Sequence, residues 1–191
     1  MRIIILGPPG VGKGTQSALI AKKLSLKHLS TGEILRRAVF EGTELGKKAK
    51  AIMDAGELVS DSIMIGIIRD CLQSKEINQG FILDGFPRTT TQAEDLDKLF
   101  DELKIDDIKI LCLNADKDEL IKRMSGRGRR DDNIETISNR LNIYKEQTLP
   151  VKEYYRKSKK VYEIVGLGDI DIINDNIFKL LTLKDEHNVN A

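Results

Sequence analysis

The stretch Gly7-Pro-Pro-Gly-Val-Gly-Lys-Gly-Thr15, GPPGVGKGT, decides how the rest of the chain is read. It follows the apolar run Ile3–Leu6 and opens the amphipathic stretch KGTQSALIAKKL. A strand that passes through a glycine-rich turn into a helix gathers backbone N–H groups and the positive end of a helix dipole around an anion. Gly7, Gly12 and Lys13 stand in register with the phosphate-cradling pattern G-x-x-x-x-G-K-[ST], and Lys13 would reach the outer phosphates. The last position departs from it. Gly14 stands where a hydroxyl is expected, and the hydroxyl arrives one residue late, at Thr15. In switch-type NTPases that hydroxyl holds Mg²⁺, so here either Thr15 substitutes or the metal depends more on water and substrates. Two further features argue against a GTPase. Asp84-Gly-Phe-Pro87 has proline where a switch-type Asp-x-x-Gly needs glycine, and Asn114-Ala-Asp-Lys-Asp118 is not the Asn-Lys-x-Asp that reads guanine.

Outward from this loop the chain alternates short apolar runs with amphipathic stretches. Ile3–Leu6, Phe81–Leu83, Ile108–Leu113 and Ile170–Ile173 read as buried strands, with Lys27–Leu29 a weaker fifth. Helical spacing links Ile63, Met64, Ile67, Ile68, Cys71 and Leu72 behind a Ser60-Asp61-Ser62 start signal. It also links Leu96, Leu99, Phe100 and Leu103, and again Ile134, Ile137, Leu141 and Tyr144. Strands separated by helices predict an α/β fold: a parallel sheet covered on both faces. Residues 30–59 interrupt the rhythm with two helical segments joined near Gly42-Thr43, and residues 126–132, GRGRRDD, form a basic loop followed by acids. The expected organisation is a core of 1–29, 60–125 and 133–191, an insertion at 30–59 and a short lid at 126–132. The polar tail after Lys184 is expected to fray.

The 191 residues suit one domain, and 40% hydrophobic with 32% charged residues fits a globular chain with a real core. A net charge of +1 supplies no bulk attraction to nucleic acid or membrane. Cys71 and Cys112 read as buried free thiols of a reducing compartment, and two cysteines with His28 and His187 exclude a four-thiolate zinc site. The apolar start, Met1–Leu6, ends at Gly7-Pro-Pro and is too short for a signal peptide; no segment approaches transmembrane length.

A second motif, FILDGFPR over 81–88, ends a buried strand in Asp84 and turns through Gly85 and Pro87 to Arg88. Ligands of open α/β sheets sit beyond the carboxyl ends of the strands. Asp84 should therefore share an edge with Gly7, where its carboxylate suits Mg²⁺ through water. Arg36, Arg88, Arg123, Arg127, Arg129, Arg130 and Arg140 gather toward that edge and predict a polyanion larger than one nucleotide, because the guanidinium fork matches phosphate oxygens. Phosphoryl transfer needs this pattern, since its catalysis is mostly positioning and charge neutralisation. Nucleic-acid binding fits poorly: aromatic residues are only 5% and none lies in the basic loop. Asp131-Asp132-Asn133 is explained as the start of the following helix.

Taken together, GPPGVGKGT, LSTGEILR, DGFPRT with Gln92 nearby, KRMSGR and RRDDNIETISNRL resemble the adenylate kinase family over essentially the full chain. The family's own loop reads Gly-Lys-Gly-Thr, so the late hydroxyl is a family trait. The resemblance implies a P-loop three-layer sandwich with a five-stranded parallel sheet. It also implies the Mg²⁺-dependent reaction ATP + AMP ⇌ 2 ADP, maintaining adenine nucleotide balance. By position, Gly10, Val11, Gly12, Lys13, Gly14 and Thr15 would hold ATP phosphates, with Lys13 stabilising the moving group. Arg123 and Arg127 would clamp ATP, and Gly168 lies where the family brings backbone near the ATP adenine. Thr31, Arg36, Glu57, Leu58, Val59, Gly85, Phe86, Pro87, Arg88 and Gln92 would form the AMP site, Gln92 reading adenine. Arg129 and Arg140 would bridge the two nucleotides. Lys13, Asp84, Arg88, Arg123, Arg129 and Arg140 are the implied catalytic set.

Two departures are visible. Glu33 replaces the aspartate common in the STGD motif, and Gly126–Asp132 is too short and lacks the cysteines of a zinc-holding lid, so a short-lid form without zinc is expected. A cytoplasmic monomer without nucleic-acid or membrane partners is the implied setting. A sister kinase for UMP or CMP shares both loops and many arginines; Thr31 and Gln92 favour AMP over it. A non-catalytic P-loop regulator is the alternative of another class, and the second set of cations argues against it.

Overall fold

The computed structural model describes residues 1–129, 132–159 and 161–182. Arg130 and Asp131 of the basic loop and the tail after Lys184 lie outside the described residues.

The chain runs β1 (Arg2–Leu6), α1 (Lys13–Leu24), β2 (Lys27–Ser30), α2 (Thr31–Phe40), α3 (Glu44–Asp54), α4 (Asp61–Leu72), β3 (Phe81–Asp84) and α5 (Thr90–Glu102). It continues through β4 (Ile108–Asn114), α6 (Lys117–Gly126), α7 (Ile134–Ile143), α8 (Leu149–Arg156), β5 (Val161–Val165) and α9 (Ile170–Thr182). A short 3₁₀ turn, Lys75–Ile77, precedes β3, and a π turn, Tyr144–Thr148, joins α7 to α8. All strand pairs are parallel, in the order β2-β3-β1-β4-β5.

β1 lies at the centre and is buried on both sides, which explains its unbroken apolar run. Its residues alternate between two cores. Ile4 and Leu6 join Leu83, Ile110 and Phe100 on one face; Ile3 and Ile5 join Ile82, Leu111 and Leu113 on the other. Each of these fully buried side chains contributes on the order of 1.5–3 kcal/mol through removal of apolar surface from water. Cys112 belongs to the first core, whereas Cys71 is only half-buried; neither forms a disulfide.

The fifth strand is Val161–Val165, and the expected strand at Ile170–Ile173 is instead the first turn of α9. Three isoleucines in four positions mimic a strand, but the buried residues Ile173, Ile177 and Leu181 recur at helical spacing while Ile170 and Ile172 are exposed. Asp169 starts the helix, its Oδ1 accepting from the N–H groups of Asp171 (2.8 Å) and Ile172 (3.2 Å). The buried Gln16 of α1 donates to Ile170 O at 3.0 Å and accepts from Asn174 Nδ2 at 2.9 Å, which ties α9 to the helix of the phosphate loop. In Val161–Val165 only Tyr162 and Ile164 are fully buried, with Val161 partly packed against the first core, as suits an edge strand. No helix among the described residues is long and apolar enough to cross a membrane.

Candidate active site

β1 delivers the glycine loop to the carboxyl edge of the sheet. Gly7 has φ of +146°, and a Cβ there would stand 2.5 Å from Leu113 O, so neither the conformation nor the space admits a side chain. Gly12 begins α1, and no side chain caps that helix. Its first N–H groups therefore point to the cleft that Gly12–Thr15 line, where an anion would complete them. Lys13 folds back over the loop, its Nζ donating to Gly7 O at 2.8 Å and Pro8 O at 2.9 Å. Enclosure lowers its pKa from 10.5 to about 8; Asp84 opposes this, while Arg88, Arg127 and Arg129 reinforce it. The ammonium is thus held where its charge lacks sufficient compensation, a deficit that phosphate oxygens would remove.

Asp84 ends β3 and pairs in register with Ile5 of β1, which brings it to the same edge. It is 8% exposed. Burial alone would raise its pKa, but nearby His28, Lys13 and Arg88 outweigh that and hold the carboxyl below its ordinary range. His28 of β2 places Nε2 3.7 Å from Asp84 Oδ2, beyond hydrogen-bond reach, and that buried nitrogen has no hydrogen-bond partner. A Cβ on Gly14 would stand 3.5 Å from Asp84 Oδ2, an ordinary contact, so Gly14 relieves no clash with the carboxylate.

The turn after β3 is tied down by its own side chains. Thr31 Oγ1 donates to Asp84 O at 3.3 Å, and Arg88 Nε donates to Gly85 O at 2.7 Å. Gln92 is buried, accepts from Arg88 N at 2.7 Å through Oε1 and donates from Nε2 to Asp61 at 2.6 Å. Its amide retains one lone pair and one hydrogen, enough to address one edge of a base.

The arginines arrive from separate elements. Arg36 rests over Gly32 on the first turn of α2. Arg123 of α6 donates to Glu119 and, from Nη1 at 2.8 Å, to Gly166 O. Arg127 and Arg140 converge on Asp132: Arg127 binds both carboxylate oxygens, and Arg140 Nη1 lies 2.9 Å from Oδ1. The Asp132 side chain is only 2% exposed, so it serves these two cations rather than capping α7. The cap is Asn133, whose side chain accepts from Thr136 N at 2.8 Å.

These groups border one cleft of about 770 Å³. Apart from Arg130, which lies outside the described residues, the residues nominated from the sequence line it: Gly10–Thr15, Thr31, Arg36, Glu57–Val59, Asp84–Arg88, Gln92, Arg123, Arg127, Arg129, Arg140 and Gly168. Glu33 lines it as well. Sequence reasoning missed Asp132, read only as a helix start, and missed Tyr144 and Thr148, which the π turn brings to the cleft. Asp132 could have been suspected as an acid embedded among arginines; the π turn has no comparable signal.

A phosphate loop, a carboxylate at the end of β3 and cations converging from three helices occupy one edge of a 2-3-1-4-5 parallel sheet. A model of the adenylate kinase family matches residues 5–160. The chain belongs to the adenylate kinase family. An adenylate kinase of Methanothrix thermoacetophila is 45% identical over 212 aligned positions, covering 95% of this chain and 99% of its own length. One of Leptospira biflexa is 47% identical over 182 positions, covering 93% of this chain and 98% of its own. Another, from Azobacteroides pseudotrichonymphae, is 47% identical over 181 positions, covering 93% and 95%. Membership supplies the reason for Gly14: the glycine between lysine and threonine is the family's loop.

Proposed function

We infer that this chain interconverts ATP and AMP with two ADP, and that the observation carrying this reading is the convergence of two sets of phosphate-binding groups on one cleft. The loop Gly10–Thr15, with Arg123 and Arg127, forms the donor side; Gly168 borders the donor base. Thr31, Arg36, Gly85 and Arg88 form the acceptor side, and Glu57–Val59, Phe86, Pro87 and Gln92 enclose the acceptor base. In the transfer an oxygen of the AMP phosphate bonds to the γ-phosphorus as the bond to the β,γ-bridging oxygen breaks. Lys13, Arg88, Arg129 and Arg140 neutralise the charge spread over the equatorial oxygens, and the two carboxylate-bound arginines exchange Asp132 for phosphate. Mg²⁺ enters with ATP as part of the substrate. Asp84, whose carboxyl is held below its ordinary range at the same edge, would hold it through water. Residues 30–59 act as the acceptor-binding insertion and 126–132 as a short lid that holds no zinc. Two cysteines outside any disulfide accord with a reducing cytoplasm, where we place the chain as a monomer without nucleic-acid or membrane partners.

Phosphoryl transfer from MgATP to AMP, UMP, CMP and GMP, measured in parallel as diphosphate formation, tests the reading. A strong preference for AMP is expected. Preference for UMP or CMP would transfer the fold and arginines to a pyrimidine acceptor and overturn the roles of Thr31 and Gln92. Retention of ATP without transfer to any acceptor would overturn the enzyme.

A further inference from the structure

Helix α3 ends in a glycine cap that pairs some of its last carbonyls and leaves others. Glu57 N donates to Ile52 O and Gly56 N to Met53 O, both at 3.0 Å, with Gly56 at φ +75°. This crossed pair is the left-handed glycine termination of a helix. Ala55 N takes Ala51 O at 3.0 Å. The next two carbonyls, of Asp54 and Ala55, lie beyond the reach of that motif, and both are taken by side chains of α7. Thr136 Oγ1 donates to Asp54 O at 3.2 Å and Asn139 Nδ2 to Ala55 O at 2.8 Å.

The contact is close at the backbone as well. A Cβ on Gly56 would stand 2.9 Å from Thr136 Cγ2 and 3.1 Å from Thr136 O. Gly56 therefore meets two demands at once, the left-handed cap and the approach to α7. Thr136, Asn139 and Arg140 share one face of α7 by their spacing, and Arg140 Nη2 lies 3.4 Å from Met53 O. The residues that follow Gly56, Glu57–Val59, line the cleft, and so does Arg140. One joint thus sets the position of the acceptor wall and of a phosphate-facing cation together.

We propose that Thr136 and Asn139 are positioning residues that seat the acceptor wall on α7, acting on the nucleotide through Glu57–Val59 and Arg140. This rests on the reading of that wall as part of the AMP site. The two carbonyls sit at a helix end and their donors are small polar groups, so water can replace both bonds when the joint parts. A ligand that touches the wall and Arg140 at once favours the seated form, and acceptor affinity then carries the free energy of the joint. The donor loop, on the opposite side of the cleft, does not.

The full chain carrying Thr136→Val with Asn139→Ala tests this, with Thr136→Ser as the conservative control. Steady-state kinetics, AMP binding at equilibrium and hydrogen exchange of the nucleotide-free protein are measured. The double variant is expected to weaken AMP, in KM and in binding, by about tenfold, the scale of two modest hydrogen bonds. Its KM for ATP should stay within about twofold on the same scale. Exchange should quicken across residues 52–59 but not in β1 or β4, and Thr136→Ser should behave as the unmodified chain. Unchanged AMP affinity, or unchanged exchange at 52–59, overturns the proposal. Equal weakening of ATP and AMP with a general rise in exchange also overturns it, since that is a structural defect. Failure of the unmodified chain to phosphorylate AMP would sink the assigned reaction instead, and AMP binding with exchange would still decide the joint.

Discussion

Replacing Lys13 by methionine should stabilise the fold near neutral pH while abolishing transfer, and the stabilisation should vanish in alkali. Lys13 has its pKa lowered from 10.5 to about 8 in the folded protein, chiefly by enclosure. At pH 7 the lysine is charged in both folded and unfolded chains, so the full penalty opposes folding. Between about 8 and 10.5 the folded chain has lost the proton that the unfolded chain still holds, and the penalty fades. Above 10.5 it is gone. At about 1.36 kcal/mol per decade, this interval is worth about 3 kcal/mol, reduced to about 2 kcal/mol because part of the side chain meets solvent in the cleft. Urea denaturation of both proteins between pH 7 and 10.5 reads it as a difference, in which other titrating groups largely cancel. The advantage of Lys13→Met over the unmodified chain should shrink by about 2 kcal/mol across that range. A difference constant within about 0.5 kcal/mol would refute the claim that the cleft holds an undercompensated ammonium. The same shift gives a kinetic sign: kcat/KM for ATP should fall above pH 8 as free enzyme loses the Lys13 charge, while kcat, set by the phosphate-bound state, should hold to higher pH.

Arg88→Ala should lower kcat by about 10²–10³ with the melting temperature nearly unchanged, because a cation facing the transferred charge is lost; near-normal turnover would remove Arg88 from that role. Gly7→Ala should destabilise the protein by more than about 2 kcal/mol, since the new Cβ meets Leu113 O at a left-handed φ; a wild-type urea midpoint would contradict the tight packing of the loop on β4. A zinc chelator should leave the melting temperature within about a degree, as among the described residues no three metal-binding side chains cluster; a large drop would reveal a structural metal.

The legible parts of this fold are those whose cause lies within a few residues of the signal. The phosphate loop could be read because strand, glycines, lysine and helix follow one another, and α1 occupies Lys13–Leu24 as its pattern predicts. Ile170–Ile173 misled for the opposite reason. Its apolar density resembles a strand, and only the Asp169 cap and the partners Ile177 and Leu181 farther along show that it is a helix. Val161–Val165 was overlooked because an edge strand buries only Tyr162 and Ile164 and never forms an unbroken apolar run. Helix α3 could be read as helical, but nothing in its own sequence announces that Thr136 and Asn139, some eighty residues away, complete its last turn.

Asp132 carries the same lesson into the chemistry. Beside Asn133 at the head of α7, an acid is locally sufficient as a helix-start signal, and that explanation stops the search. Its true surroundings come from two directions: Arg127 at the end of α6 and Arg140 one turn from the end of α7. Holding two guanidinium groups beside each other without an anion would be unfavourable, and the buried Asp132 carboxylate supplies one charge and two oxygens between them. A nucleotide phosphate brings more charge and more oxygens to the same donors. On the proposed function, the carboxylate would keep the arginines aligned at low cost before substrate arrives and would yield to a better acceptor when it does.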